Sequence, residues 1–356
     1  MDAKSKLKAF KNQIDKELKK YLTLKIKEAK RISPHAVELM EHVADLTLRG
    51  GKRIRPALFY YSYLAHGGDN KAEALKAAMA IELSETYLLI HDDIMDNDDL
   101  RRGGETIHES YKKNAENKYH SRTNSVSFGN SLGILAGDLA NALSNKVLAE
   151  RKFKASYVCD ALLELNKVYT LEMYGQTLDI ISEVENHVTK DDVVLIHQLK
   201  TVPYTFDGPI KIGAILAGAN KKDVLRLEKY SLPLGTAFQI QDDILGMFGT
   251  EEKLGKPVTS DLKEGKKTLL ILDALEKTNK EQKEIININL GNKKVTYASL
   301  RAVRKVIEET GSLAHSKNLA HELVQGAMDA VYKMPLKKEG KDFLVGIAEY
   351  MVNRDY

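Results

Sequence analysis

The chain has 356 residues, 43% of them hydrophobic and 29% charged, with 7 Pro and no Trp. That suits a protein with a substantial core, and so few prolines leave room for long helices. Its 54 basic and 50 acidic side chains give a net charge of +4, too balanced to argue for nucleic acid, and its one cysteine, Cys159, excludes an intramolecular disulfide framework. A reducing cytoplasm is the expected compartment, with Cys159 a small buried residue rather than a nucleophile.

In chain order, residues 1–20 alternate Lys with Leu, Phe and Ile at helical spacing and lack the apolar region of a signal peptide. They predict a solvated peripheral helix, with at most peripheral membrane contact. Nowhere do about 18 apolar residues run together, so no transmembrane span is expected. Gly50-Gly51 breaks the chain before Lys52-Arg53-Ile54-Arg55-Pro56 opens a helix. Lys52 and Arg55, three apart, share one face. A Gly-Gly turn ahead of a helix N-terminus offers amides and a positive dipole end to a phosphate, although the same residues also suit an ordinary basic loop.

Apolar residues recur at i, i+3, i+4 over 57–65, 71–90, 132–148, 155–181 and 224–248, and strand-like alternation is scarce. Residues 114–130 are polar and read as an inserted loop. No shift in composition marks a boundary. The expectation is an all-α, single-domain helical bundle over 1–356, with ten or more helices around a central apolar cavity.

The helix from Lys71 ends in His91-Asp92-Asp93-Ile94-Met95-Asp96. Asp92 and Asp96 are four apart on one face, where they repel unless a cation lies between them. Mg²⁺ suits such a pair, because it takes one or two carboxylates plus substrate phosphates. An acidic helix end in plain solvent is the alternative, but acids are unfavourable at the negative end of the helix dipole. Apolar Tyr87-Leu88-Leu89-Ile90 precedes the acids, and Arg101-Arg102 follows, as a polyanionic ligand would require.

Phe238-Gln239-Ile240-Gln241-Asp242-Asp243 closes a second apolar helix. Two such helices suggest aspartate pairs facing one another across a cavity, with metals on both rims holding one diphosphate. At 246, where a further acid would complete the rim, stands Gly. Lys200-Thr201, Gly255-Lys256 and Gly265-Lys266-Lys267-Thr268 are weak signals singly. Together they supply cations for two diphosphates. No P-loop, GxGxxG, HExxH or Cys-His spacing occurs, which disfavours nucleotide hydrolysis, dinucleotide redox chemistry and zinc.

Taken together, Asp92-Asp93-x-x-Asp96 with Arg101-Arg102-Gly103, Phe238-Gln239-x-x-Asp242-Asp243, Gly51-Lys52-x-x-Arg55-Pro56 and Gly175-Gln176-x-x-Asp179 resemble the trans-prenyl diphosphate synthase family, from about Gly50 to the chain end. The resemblance implies a helical bundle, usually a homodimer, that joins isopentenyl diphosphate to an allylic diphosphate (dimethylallyl, geranyl or farnesyl) with three Mg²⁺ ions. Asp92, Asp96 and Asp242 would be the metal ligands. Arg101, Lys200 and Lys266 would hold the allylic diphosphate, with Lys256 near it. Lys52, Arg55 and Arg102 would hold isopentenyl diphosphate, Phe238 would pack near its prenyl unit, and Arg354 would close the mouth. Gln239 and Thr201 would lie beside the reacting carbon and, with Lys200 and Arg101, carry the catalysis.

Two positions depart from the family pattern. Glu85 stands where the family usually has His or Gln touching isopentenyl diphosphate, and a carboxylate would repel diphosphate unless a cation bridges it. Gly246 replaces the last acid. Tyr87, Leu88 and Ser84 would form the floor that limits chain growth, as in short-chain enzymes making C15 or C20 products, with geranylgeranyl diphosphate expected here. His91 is expected to be structural rather than a base. Two alternatives compete. A class I terpene cyclase shares the acidic rim but has no use for Lys52, Arg55 and Arg102. A non-catalytic partner subunit typically loses the acids kept here.

Overall fold

The computed structural model describes residues 2–119, 123–185, 187–250 and 258–352. It is 80% helical with almost no sheet, as the periodicity implied. The chain divides into two compact units, Met1–Leu163 with Ile212–Ala219, and Glu164–Lys211 with Asn220–Tyr356.

The first unit holds α1 (Ala3–Ala29), α2 (Pro34–Leu48), α3 (Ile54–Ala65), α4 (Lys71–Met95), α5 (Ile107–Tyr119), α6 (Ser125–Ala149) and the start of α7 (Ala155–Val184). The solvated helix expected over 1–20 is longer and is not peripheral. Leu7, Phe10, Ile14, Leu18 and Leu22 recur every three or four residues and are all buried, while the lysines of this helix, Lys25 apart, are not buried. Each such side chain contributes about 2 kcal/mol on burial, so α1 is part of the core.

The loop expected over 114–130 is helical over most of its described part, while residues 120–122 lie outside the described residues. Helix α5 runs on through Tyr119, and α6 begins at Ser125, capped by the Asn124 side chain accepting from the Ser127 amide at 3.0 Å. Residues 114–119 and 125–130 are helical, and their polarity marks exposed faces of two helix ends. Helix α6 then packs tightly because its glycines permit it. A Cβ at Gly129 would lie 2.3 Å from the His108 carbonyl oxygen, and one at Gly137 2.2 Å from the His91 ring.

The second unit holds the rest of α7, then α8 (Lys190–Lys200), a π-helical turn (Pro203–Asp207), the first four residues of α9 (Gly208–Leu216), α10 (Lys221–Arg226) and α11 (Glu228–Phe248). Six further helices follow, from Ser260–Glu264 to Lys338–Val352, among the described residues. The single helix expected over 224–248 breaks at Leu227, whose amide turns back to the Val224 carbonyl at 3.2 Å in a tighter turn. Buried Tyr230 of α11 donates to the Leu344 carbonyl at 2.6 Å. Cys159 is exposed on α7, not buried as its small size suggested. No helix among the described residues is long and apolar enough to cross a membrane.

Candidate active site

The first acidic cluster caps α4. The Asp96 amide donates to the Asp92 carbonyl at 2.8 Å, closing the last turn and keeping both carboxylates on one side. Asp96 is exposed and Asp92 half-buried, while Asp93 is buried. The Arg101 guanidinium spans three acids, donating to Asp93, to Asp92 at 3.4 Å and to Asp98 at 3.0 Å. Burial pushes the Asp93 carboxyl up to about 7 even against the pull of Arg101. Its Oδ2 is buried without a hydrogen-bond partner. Among the described residues, no three acids, His or Cys converge into a ready-made metal cage. Hard carboxylate oxygens, two of them accessible on one face, fit a cation that completes its shell with water and phosphate oxygen.

Arg101 is aimed by a hairpin that the sequence reading did not foresee. Leu100–Arg101 (β1) pairs with Gly104–Glu105 (β2), and the two turn residues, Arg102 and Gly103, both have positive φ, 52° and 74°. That is the geometry of a tight two-residue turn that matches strand twist, with Gly at its second position. Arg102 folds back to donate to Glu85 Oε1 at 2.8 Å, and Arg55 reaches the other oxygen, Oε2, at 3.1 Å. The carboxylate that breaks the family pattern is therefore bridged by two of the cations expected to hold isopentenyl diphosphate. Lys52, by contrast, is exposed.

Arg53, passed over in the sequence, anchors this corner. It adopts a left-handed backbone (φ 57°) and is buried. Its guanidinium donates to Glu82, to Asp15 at 2.8 Å and to the Thr47 carbonyl at 2.8 Å. Burial raises the Glu82 carboxyl and neighbouring Glu85 adds to that, while Arg53 opposes both. The available signal was Glu82 and Glu85, three apart on an otherwise apolar stretch of α4.

In the second unit, Asp242 is half-buried near the end of α11, and the Asp243 side chain beside it keeps 10% exposure. The Thr201 hydroxyl donates to Gln239 Oε1 at 2.9 Å, and Gln239 Nε2 donates to Asp243 Oδ1 at 3.1 Å. Asp243 Oδ2 lacks a hydrogen bond and lies 3.7 Å from His197 Nε2. Burial drives the Asp243 carboxyl up to about 8 and the His197 imidazole down to about 4. Lys200 pairs with Asp179 at 2.6 Å, and Lys266 with Glu264 at 3.1 Å. Asp179, His197, Lys200, Thr201, Gln239, Asp243 and Lys266 line a cavity of about 130 Å³ that also takes in Ser182 and Glu183. Close approach of α7 to α8 sets its width, since a Cβ at Gly175 would sit 2.2 Å from the Lys200 amide nitrogen. A Cβ at Gly246 would meet Asp261 Oδ2 at 1.9 Å, so the glycine admits a carboxylate from another segment. Phe238 packs edge-on against Phe206 of the π-helical turn, with centroids 5.4 Å apart. Lys256 and Arg354 lie outside the described residues.

A family model described as Polyprenyl synthetase matches residues 37–308. The chain belongs to the polyprenyl synthetase family. It is 34% identical over 327 residues to a geranylgeranyl diphosphate synthase of Sulfolobus acidocaldarius, covering 91% of this chain and 93% of that protein. A short chain isoprenyl diphosphate synthase of Methanocaldococcus jannaschii is 32% identical, covering 97% and 94%. Among solved structures, a geranylgeranyl pyrophosphate synthase from Corynebacterium glutamicum, complexed with isoprenyl diphosphate and magnesium, superposes with a TM-score of 0.89 at 27% identity, covering 97% of this chain and 99% of that one. A polyprenyl synthase from Caulobacter crescentus, complexed with calcium and isoprenyl diphosphate, gives 0.76 at 26% identity, covering 96% and 97%.

Membership makes the chain a prenyltransferase enzyme. Within this polyprenyl synthetase, the three expected floor residues are all buried on α4. The Tyr87 ring stands edge-on to His91, with centroids 5.0 Å apart. Ser84 is held in the seam with α6, its hydroxyl 2.9 Å from Ser144. His91 Nε2 lies 3.2 Å from the Ile134 carbonyl oxygen, against Gly137, in keeping with a packing role.

Proposed function

We propose that this enzyme condenses isopentenyl diphosphate head to tail with an allylic diphosphate to give an all-trans C15–C20 product, geranylgeranyl diphosphate above all. The observation that carries the reading is the end of α4, where Asp92 and Asp96 share one face beneath a guanidinium that already spans three acids. The geranylgeranyl synthase relatives support the product size.

Ionising the allylic C–O bond separates a carbocation from a diphosphate. Asp92, Asp96 and Asp242 would hold Mg²⁺, three ions in all, which when bound supplies positive charge for the leaving group. Arg101, Lys200 and Lys266 place fixed cations for the same charge, and such preorganised electrostatics is the main catalytic contribution. Thr201 and Gln239, linked by a hydrogen bond, present an oriented dipole at the allylic carbon. Lys52, Arg55 and Arg102 bind the second diphosphate, and Phe238 packs against its prenyl unit. Apolar side chains keep water from quenching the cation. The isopentenyl double bond then attacks, and the released diphosphate takes the proton, so no protein nucleophile takes part. Buried Tyr87, Leu88 and Ser84 stop the growing chain. The working form is a homodimer.

The test is an assay of the purified chain with isopentenyl diphosphate and each allylic primer, with Mg²⁺ and with excess EDTA, the products sized by mass spectrometry. Metal-dependent formation of a C20 diphosphate is expected. Undiminished turnover in EDTA overturns the reading. Cyclised hydrocarbon from the allylic substrate alone indicates a terpene cyclase instead, and activity only with an added synthase subunit indicates the non-catalytic role.

A further inference from the structure

We propose that Glu85 is a positioning residue that clamps Arg55 and Arg102 into one cradle for the diphosphate of isopentenyl diphosphate. The proposal rests on the reading above, which gives those two arginines that ligand. It assigns Glu85 the opposite of what its charge alone suggests, since a carboxylate near an anion site ordinarily weakens it.

Three observations carry the inference. The carboxylate divides its oxygens, Oε1 to Arg102 and Oε2 to Arg55, rather than spending both on one guanidinium fork. It has about four lone-pair sites against ten guanidinium N–H groups, so Glu85 by itself cannot saturate the pair. Second, the arginines come from unrelated places, the first turn of α3 and the tip of the β1–β2 hairpin. Two guanidiniums brought together at 19% side-chain exposure repel, and the carboxylate between them removes that repulsion. Glu85 itself is only 13% exposed, so both of its ion pairs are poorly screened by solvent.

The third observation is the footing beneath the clamp. Glu82 sits one turn earlier on α4 and is tied to Arg53, which also holds Asp15 and the Thr47 carbonyl. Glu85 therefore projects from a rigid part of the helix. Gly51, with φ 94°, turns the chain beside the Arg102 guanidinium, and a Cβ there would stand 3.4 Å away in ordinary contact. The three groups sum to +1, two arginines less one carboxylate. Arginine is suited to such a cradle by its fixed, planar donors.

The experiment is steady-state kinetics on the full chain, with thermal melting as a check on folding. Glu85→Ala is expected to raise KM for isopentenyl diphosphate about tenfold, with kcat and the allylic KM within about twofold of the parent. The near-isosteric Glu85→Gln, which keeps an acceptor but not the charge, is expected to raise that KM about threefold. On an Arg102→Ala background Glu85→Ala adds less than about twofold, because the residue it acts through is gone. A fall in KM in Glu85→Gln overturns the proposal by showing that the carboxylate competes with the ligand. An unchanged KM, or full additivity with Arg102→Ala, overturns it as well. Absence of turnover in the parent enzyme, or an Arg102→Ala enzyme with unaltered isopentenyl KM, refutes the parent reading and the clamp with it.

Discussion

The two acidic helix ends look alike as sequence and differ as chemistry. At the end of α4 the counter-ion is local, Arg101 lying eight residues beyond Asp93, and Asp92 and Asp96 keep access to solvent. At the end of α11 the acid beside Asp242 is held in a run of hydrogen bonds through Gln239 to Thr201, 38 residues earlier than Gln239, with His197 held neutral against it. One cluster is an open rim with both carboxylates accessible, and in the other half-buried Asp242 stands beside a hydrogen-bonded wall. An aspartate pair marks a place in a chain, but its surroundings decide whether the carboxylate is charged.

The sharpest way to break this contrast is to delete acids from each. Asp92→Ala should lower kcat/KM by about 10³-fold, with Asp242→Ala comparable, whereas Asp93→Asn should cost about tenfold, since burial already biases that carboxyl toward its neutral form. Equal losses at Asp92 and Asp93 would erase the distinction between rim and buried acid.

The next effect is on stability. His197 has a folded value near 4, below its usual 6.5, because burial disfavours the imidazolium. The unfolded chain binds a proton that the folded chain refuses, so stability falls as pH drops from about 6.5 toward 4, by up to about 3 kcal/mol. His197→Gln should flatten that slope in denaturant titrations at pH 7 and pH 4.5. An unchanged slope would show that the ring is not held neutral.

A smaller effect is expected at Gly246. Its Cβ would collide with Asp261, so Gly246→Ala should displace that carboxylate, lower the thermal midpoint by about 2–4 °C and reduce turnover severalfold. A melt and a rate identical to the parent would mean that the Asp261 carboxylate has no part in the rim. The smallest effect on rate is expected at Tyr87, where Tyr87→Ala should leave kcat within about threefold yet lengthen the product by one or more C5 units by mass spectrometry. Unchanged product length would remove Tyr87 as the floor.

Much of the fold was legible because helices declare themselves over short distances. The spacing of Leu7, Phe10, Ile14, Leu18 and Leu22 is visible without any structure, although its burial is not, which is why α1 read as a solvated helix. Residues 114–130 misled for the converse reason, since polar composition reports exposure and says little about backbone. The hairpin of Arg102 and Gly103 was readable in principle from a glycine at the second turn position.

The sequence by itself determined the helical class, the positions of both acidic helix ends, the cations around them and the family they resemble, because these depend on spacings of three to eight residues. Only the tertiary structure decided which charges meet. Arg53 finds Asp15 across 38 residues and Glu82 across 29, Glu85 collects Arg102 across 17, and Asp261 fills the space left by Gly246. Such pairings follow from packing of distant segments, and a burial that only packing creates sets both the strength of an ion pair and the protonation of an acid.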